Sequence, residues 1–264
     1  MAPTIRLSQM CVICDQPVEN LIHLTKLDCS SCHRLTTIPA ILINLTELNC
    51  CNCSELTSIP CTLVNLQTLY CSHCYSLTSI ASTLVNLKTL VCYRCDLLET
   101  IPDTLVNLEH LDCSYNRVFN AIPLSFIKLQ TLDCDNCPLL TTIPPTLVTL
   151  RVLICYSCRG LTDIPFTLKE LEELDCCNCN RLTYIPPTLI NLNTLSYSDS
   201  SYLYIPFKIQ TQIQRKSNRK ISIFVSKVKL LWRRVQRKRM VKFLNDQTNS
   251  LPAVLNGVVA IYLF

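Results

Sequence analysis

The sequence predicts an α/β solenoid in which short parallel strands stack into one sheet and a basic C-terminal helix follows. Three observations predict it. Leucines recur every 21 residues from Leu24 to Leu192, without insertion or deletion. Within each unit, residues two apart separate into an apolar set and a polar set, the signature of an extended segment with one face buried. The charge changes sign near Pro206: residues 1–207 carry 11 Lys/Arg against 18 Asp/Glu, and residues 208–264 carry 13 against Asp246 alone.

Residues 1–20 are read as an N-terminal cap. Leu21 aligns with Leu42 and Leu63, so residues 11–23 form a worn half-repeat. The opening MAPTIRLSQMCVICDQPVEN lacks the charged start and apolar run of a signal peptide. The 20 cysteines are therefore expected to stay reduced, in cytosol or nucleus and not in a secreted protein. With only 2 Gly, few positions are expected to demand positive φ. No stretch of about 18 apolar residues predicts a spanning helix.

Residues 21–209 hold about nine copies of L-x-x-L-x-C-x-x-C-x-x-L-T-x-I-P-x-T-L-x-N. Leu27, Leu48 and their equivalents follow the first leucine by three, and Ile38, Ile59 and their equivalents keep the same 21-residue step. In the first unit Leu27 and Cys29 face inward, while Lys26, Asp28 and Ser30 face outward. Ile-Pro prevents helix before the proline and turns the chain back. The segment T-L-x-N-L then returns Leu63 and Leu66 to the core. One unit cannot cover its own apolar edge, so neighbouring units must stack, with strands about 4.8 Å apart.

These units resemble the leucine-rich repeat, in the cysteine-bearing form of its L-x-x-L-x-L-x-x-N/C signature. The abundance of cysteine and the repeated L-T-x-I-P are similar to leucine-rich proteins of giant DNA viruses of amoebae, which would place the chain in a host cell. The resemblance implies a horseshoe with strands on its concave face and irregular or short 3₁₀ segments behind. The family has no single activity, so the fold does not name a function.

Eight Cys-x-x-Cys pairs admit a metal reading and a packing reading. Zinc sites use such pairs, whereas free cysteine also acts as a small buried hydrophobe. Asn116 stands where seven other repeats, beginning with Cys32, hold the second cysteine of the pair, and asparagine replaces a hydrogen bond better than a thiolate ligand. Packing is therefore the expected role, with no metal and no cofactor. Cys11-x-x-Cys14, outside the full repeats, is the better metal candidate. Cys51, Cys61 and Cys177 break the ladder and are expected to be exposed. The histidines His23, His33, His73 and His110 show no dyad spacing, and no glycine-rich phosphate loop exists. Neither an enzyme nor a small-molecule substrate is expected.

Outward strand residues should form columns across the concave face. One runs Asp28, Asn49, Tyr70, Val91, Asp112, Asp133, Ile154, Asp175, Ser196; the next runs Ser30, Cys51, Ser72, Tyr93, Ser114, Asp135, Tyr156, Cys177, Ser198. Tyr70, Val91 and Tyr93 put apolar area side by side, as do Ile154 and Tyr156, with Asp112, Asp133 and Asp135 between them. Exposed aromatics rimmed by charge are common at protein interfaces. The expected function is a protein-interaction scaffold that binds basic residues and apolar anchors on this stripe.

Residues 210–264 are read as a basic amphipathic helical tail. Ile221, Phe224, Val225, Val228, Leu231, Trp232 and Val235 share one helical face. Arg233, Arg234, Arg237 and Lys238 lie off it. The tail either caps the solenoid or meets an acidic partner, anionic lipid or nucleic acid. A thiol- or metal-responsive protein and a tail-led nucleic-acid or membrane protein are the alternatives.

Overall fold

The computed structural model describes residues 13, 21–197 and 203–217. Among these, nine three-residue strands recur at the repeat step: β1 Lys26–Asp28, β2 Glu47–Asn49, β3 Thr68–Tyr70, β4 Thr89–Val91, β5 His110–Asp112, β6 Thr131–Asp133, β7 Val152–Ile154, β8 Glu173–Asp175 and β9 Thr194–Ser196. They form one sheet in chain order, and each pairs in parallel with the next. Leu27 opposes Leu48, Leu48 opposes Leu69, and the match continues to Leu195 without slippage. The constant 21-residue step fixes this register, because a one-residue slip would turn every buried leucine outward.

The strands are short because the backbone turns soon after the first cysteine. Cys29 N still donates to Asn49 O at 2.9 Å, and Ser31 N to Cys51 O at 2.7 Å. Ser31 then takes a left-handed φ of 64°, as do Asn52, His73, Arg94, Tyr115, Asn136, Ser157 and Asn178 at the same register position. The scarcity of glycine therefore misleads. Each of these coils demands positive φ once, and non-glycine residues supply it, three of them the asparagine that tolerates this region best.

The core is one continuous stack. Leu42, Leu45, Leu48, Leu56 and their equivalents are buried between coils, as are the isoleucines from Ile38 to Ile185. Full burial of one such side chain contributes about 1.5–3 kcal/mol. The fifth full unit departs from the pattern: Phe119 and Phe126 fill leucine positions and are fully buried.

Side-chain hydrogen bonds to backbone carbonyls tie each coil to the one before. The threonine of T-L-x-N donates 22 residues back, from Thr62 to Ala40 O at 2.7 Å and from Thr188 to Phe166 O at 2.7 Å. The asparagine does the same, from Asn65 to Ile43 O at 3.0 Å and from Asn107 to Val85 O at 2.9 Å. These two residue types therefore satisfy carbonyls that no sheet reaches.

The end of the stack is covered. Helix α1, Phe207–Ser217, begins directly after Pro206, inside the span the sequence assigns to repeats. Ile209 is fully buried, Ile213 packs on the core, and Gln212 donates to Leu192 O at 2.6 Å. At the other end Leu21 is buried and Ile13 packs against the core. Among the described residues no helix is long and apolar enough to cross a membrane.

Candidate interaction surface

The sheet places the expected columns in register. Tyr70, Val91, Asp112, Asp133 and Ile154 are successive pairing partners on β3 to β7. The first column, however, is not simply solvent-facing. Asp28, Asn49, Asp112, Asp133 and Asp175 each accept, at Oδ1, a hydrogen bond from the backbone N–H two residues on, at 3.1–3.2 Å. These side chains end the strand and start the left-handed turn. Tyr70, Val91 and Ile154 occupy the same position and have no group that can make this bond. Each forgoes an interaction of about 1 kcal/mol and presents half-buried apolar area.

Beside that column stands an aromatic cluster larger than the sequence reading found. The Tyr93 ring meets His73 edge-to-face at 4.9 Å and Tyr115 at 5.1 Å. Arg94 sits 5.7 Å from the Tyr93 ring and 5.4 Å from the Tyr115 ring, within cation–π range. Tyr75 extends the row by a 2.9 Å contact from its hydroxyl to His73 Nδ1. His73, Arg94 and Tyr115 are the left-handed residues of three consecutive coils, where the other coils hold serine or asparagine. That replacement is visible in the sequence once the position is known to be a turn. Tyr156 is 37% exposed, two coils beyond Tyr115.

The aspartates are crowded. Asp112 is buried, 8% exposed, and its Oδ1 is held by the backbone and hydroxyl of Ser114, so its carboxylate is less available than a surface residue's. Burial raises its pKa. Burial, then Asp112, push Asp133 well above the carboxylate range. Asp135 is raised to about 6, by burial first and then by Asp175. Among the described residues the ion pairs are Lys26–Glu47 and Arg151–Glu172, each at 2.6 Å, and neither touches this row. Burial also raises the pKa of Tyr70, Tyr93 and Tyr115, which remain neutral hydroxyl donors at neutral pH.

The pattern behind this face matches a known one. A family model described as Leucine Rich Repeat matches residues 107–129, 128–150 and 170–192. These are leucine-rich repeats. The fold is similar to the leucine-rich repeat domain of the type III effector XopL, with a TM-score of 0.56 and 24% identity over 69% of this chain and 71% of that one. A leucine-rich repeat protein of Leptospira interrogans gives 0.49 and 22%, over 68% of this chain and 56% of that one. The functional domain of InlJ from Listeria monocytogenes, described as including a cysteine ladder, gives 0.46 and 20%, over 75% and 58%. The chain thus spans little more than half of the Leptospira and Listeria chains. No curated protein sequence matches it.

In the stacked repeats the paired cysteines are mostly hydrogen-bonding core residues. From Cys53 on, the second thiol of six described pairs donates to the first cysteine's carbonyl in the preceding repeat, among them Cys74 to Cys50 O at 3.1 Å and Cys158 to Cys134 O at 2.9 Å. Asn116 does the same to Cys92 O at 3.0 Å. Hydrogen bonding to Cys74, then burial, hold the Cys50 thiol well above its ordinary pKa; for Cys92 burial leads. Among the described residues no three His, Cys, Asp or Glu gather as metal ligands. Cys61 is exposed and Cys177 half-buried, but Cys51 is buried, with burial raising its pKa to about 12. The sequence reading of Cys51 as exposed fails because its neighbours across the sheet leave a thiol no open surface. Cys11, Cys14, Arg233, Arg234, Arg237, Lys238 and the apolar stripe from Ile221 to Val235 lie outside the described residues.

Proposed function

We propose that this chain is a non-catalytic scaffold that binds an extended, basic protein segment across its sheet face. Tyr70, Val91 and Tyr93 receive one apolar anchor, and Ile154 and Tyr156 receive a second. Asp133 and Asp135, with the more deeply set Asp112, attract a lysine or arginine between them. Leucine-rich repeats are commonly protein-interaction scaffolds and typically non-catalytic, which agrees with this reading. One observation carries it: apolar residues replace the strand-ending aspartate or asparagine at Tyr70, Val91 and Ile154, beside Tyr93 and Tyr156. Stability is given up there for half-buried apolar surface that solvent still reaches, the reverse of what solubility alone favours.

The face also limits how a ligand can bind. Interior strands have their backbone groups committed to neighbours, so recognition must go through side chains and cannot add a strand. A reducing compartment such as cytosol or nucleus fits the same reading, since the ladder thiols serve as donors only while reduced.

Selection from a random peptide display library against the full chain tests the proposal. Enriched peptides are expected to combine Lys or Arg with aromatic or aliphatic residues, and to lose binding to a Tyr93→Ala/Tyr156→Ala variant. Peptides that bind that variant unchanged would remove the sheet face from consideration.

A further inference from the structure

A second surface runs along the loops that lead into the strands. The position x of T-L-x-N holds Ile43, Val64, Val85 and Val106, its equivalents in later units are Ile127, Val148, Lys169 and Ile190, and Ile22 precedes them. Solvent-exposed turns seldom favour β-branched apolar residues, yet this column is apolar everywhere except Lys169. The seven apolar members from Ile43 to Ile190 are each 41–54% exposed. Together they present on the order of 500 Å² of apolar area, at the upper end for a monomer.

Much of the backbone under this ridge is already satisfied. The next repeat's side chain donates to the carbonyls of Ile22, Ile43, Val64, Val85 and Ile127, at 2.9–3.0 Å. The N–H groups of Ile43, Ile127, Val148 and Ile190 bond two residues back at 2.8 Å. Covering the ridge therefore strands few polar groups, and the inter-coil bonds hold the row rigid beforehand.

We infer that the ridge is a homodimer interface in which two copies pack antiparallel about a two-fold axis through Val106. A row with constant spacing is its own complement when reversed, as an isologous contact requires. The axis places Val85 against Ile127 of the partner subunit, Val64 against Val148 of the partner subunit, and Ile22 against Ile190 of the partner subunit. Ile43 meets Lys169 of the partner subunit, whose aliphatic stem can lie along it while the ammonium reaches water. Two ridges bury about 1,000 Å² in total, the lower limit for a specific interface, so the dimer is weak and concentration-dependent. The amides of Asn44, Asn65 and Asn86, with Gln67 and Lys88, line a shallow groove of about 450 Å³ beside the ridge and form its polar rim.

Sedimentation equilibrium of the full chain across a concentration series tests this. A monomer–dimer equilibrium is expected. Val106→Lys, which sets two lysines face to face on the axis, should weaken it at least tenfold, as should Val85→Lys alone. Adding Ile127→Glu to Val85→Lys should recover most of the loss, whereas Tyr93→Ala, on the sheet face, should leave the association constant of the dimer unchanged. Val85, Val106 and Ile127 are exposed and Tyr93 is half-buried, so the variants are expected to retain the wild-type circular dichroism spectrum. A chain that is monomeric throughout overturns the inference, whether or not it binds neutral lipid vesicles. So does a dimer insensitive to Val106→Lys, and failure of the charge pair to restore association overturns the antiparallel register.

Discussion

Asn116 holds the Cys92 carbonyl at 3.0 Å and the Cys113 carbonyl at 3.0 Å, while its own Oδ1 accepts the Cys95 N–H at 2.6 Å. One amide thus satisfies three buried backbone groups where the other repeats use a thiol. Asn116→Ala should destabilise the solenoid by about 2–4 kcal/mol, because those groups lose their partners in a dry core. Asn116→Cys should recover part of this, since a thiol there can reach Cys92 O as Cys74 reaches Cys50 O. Urea denaturation followed by circular dichroism compares the two midpoints; equal losses would refute a hydrogen-bonding role.

The left-handed turn is testable where no aromatic contact complicates it. Ser157 has a φ of 57°. Ser157→Gly should stabilise by about 0.5–1 kcal/mol, the relief of strain partly offset by glycine's unfolded-state entropy. Ser157→Val should destabilise by about 1–2 kcal/mol, because β-branching worsens the same clash. Thermal or urea unfolding of both variants reads the sign.

Thiol chemistry should follow burial. In native protein at neutral pH, Cys61 is expected to react with a disulfide reagent fastest among the described cysteines, and Cys61→Ser should remove that phase. Cys177, raised to about 11 chiefly by burial, should lag. The first cysteines of the ladder, such as Cys50, Cys71 and Cys113, should react only on unfolding, because burial and hydrogen bonds from the partner thiols disfavour their thiolates. Rapid native reaction of the ladder would contradict the core described above.

The raised Asp135 sets a direction for pH. A carboxylate with a higher pKa folded than unfolded penalises the fold when ionised, so the penalty is full at pH 7. It fades as pH falls from about 6 toward 4. Asp135→Asn should therefore be more stable than wild type at pH 7, and the gap should close on acidification through that window. His73 and His110, whose pKa values burial lowers, pull the other way as pH falls, which is why the comparison is between variant and wild type. Unfolding midpoints at several pH values measure it; a gap independent of pH would contradict the assignment.

Much of this architecture was legible in the sequence, because period and fold are nearly the same fact in a solenoid. The step from Leu27 to Leu48 fixes the pairing of β1 with β2, and Asn116 discloses the thiol's role by substitution. What escaped was local. The left-handed turns at Arg94 and Tyr115 leave no glycine to mark them, so the row from Tyr75 to Tyr115 could not be assembled from strand alternation. Asp112 and Cys51 looked exposed because alternation gives the direction of a side chain but not the size of its neighbours. The helix expected from the stripe beginning at Ile221 gave no hint of α1, whose capping contacts through Ile209 and Gln212 depend on where the last coil ends.

Hydrogen–deuterium exchange of the full chain, with and without a selected basic peptide, tests the binding account most directly. The account predicts protection recurring once per repeat, at segments 70–73, 91–94, 112–115, 133–136 and 154–157. Protection confined to the turns around Val64, Val106 and Val148, or absent from all five segments, would contradict it.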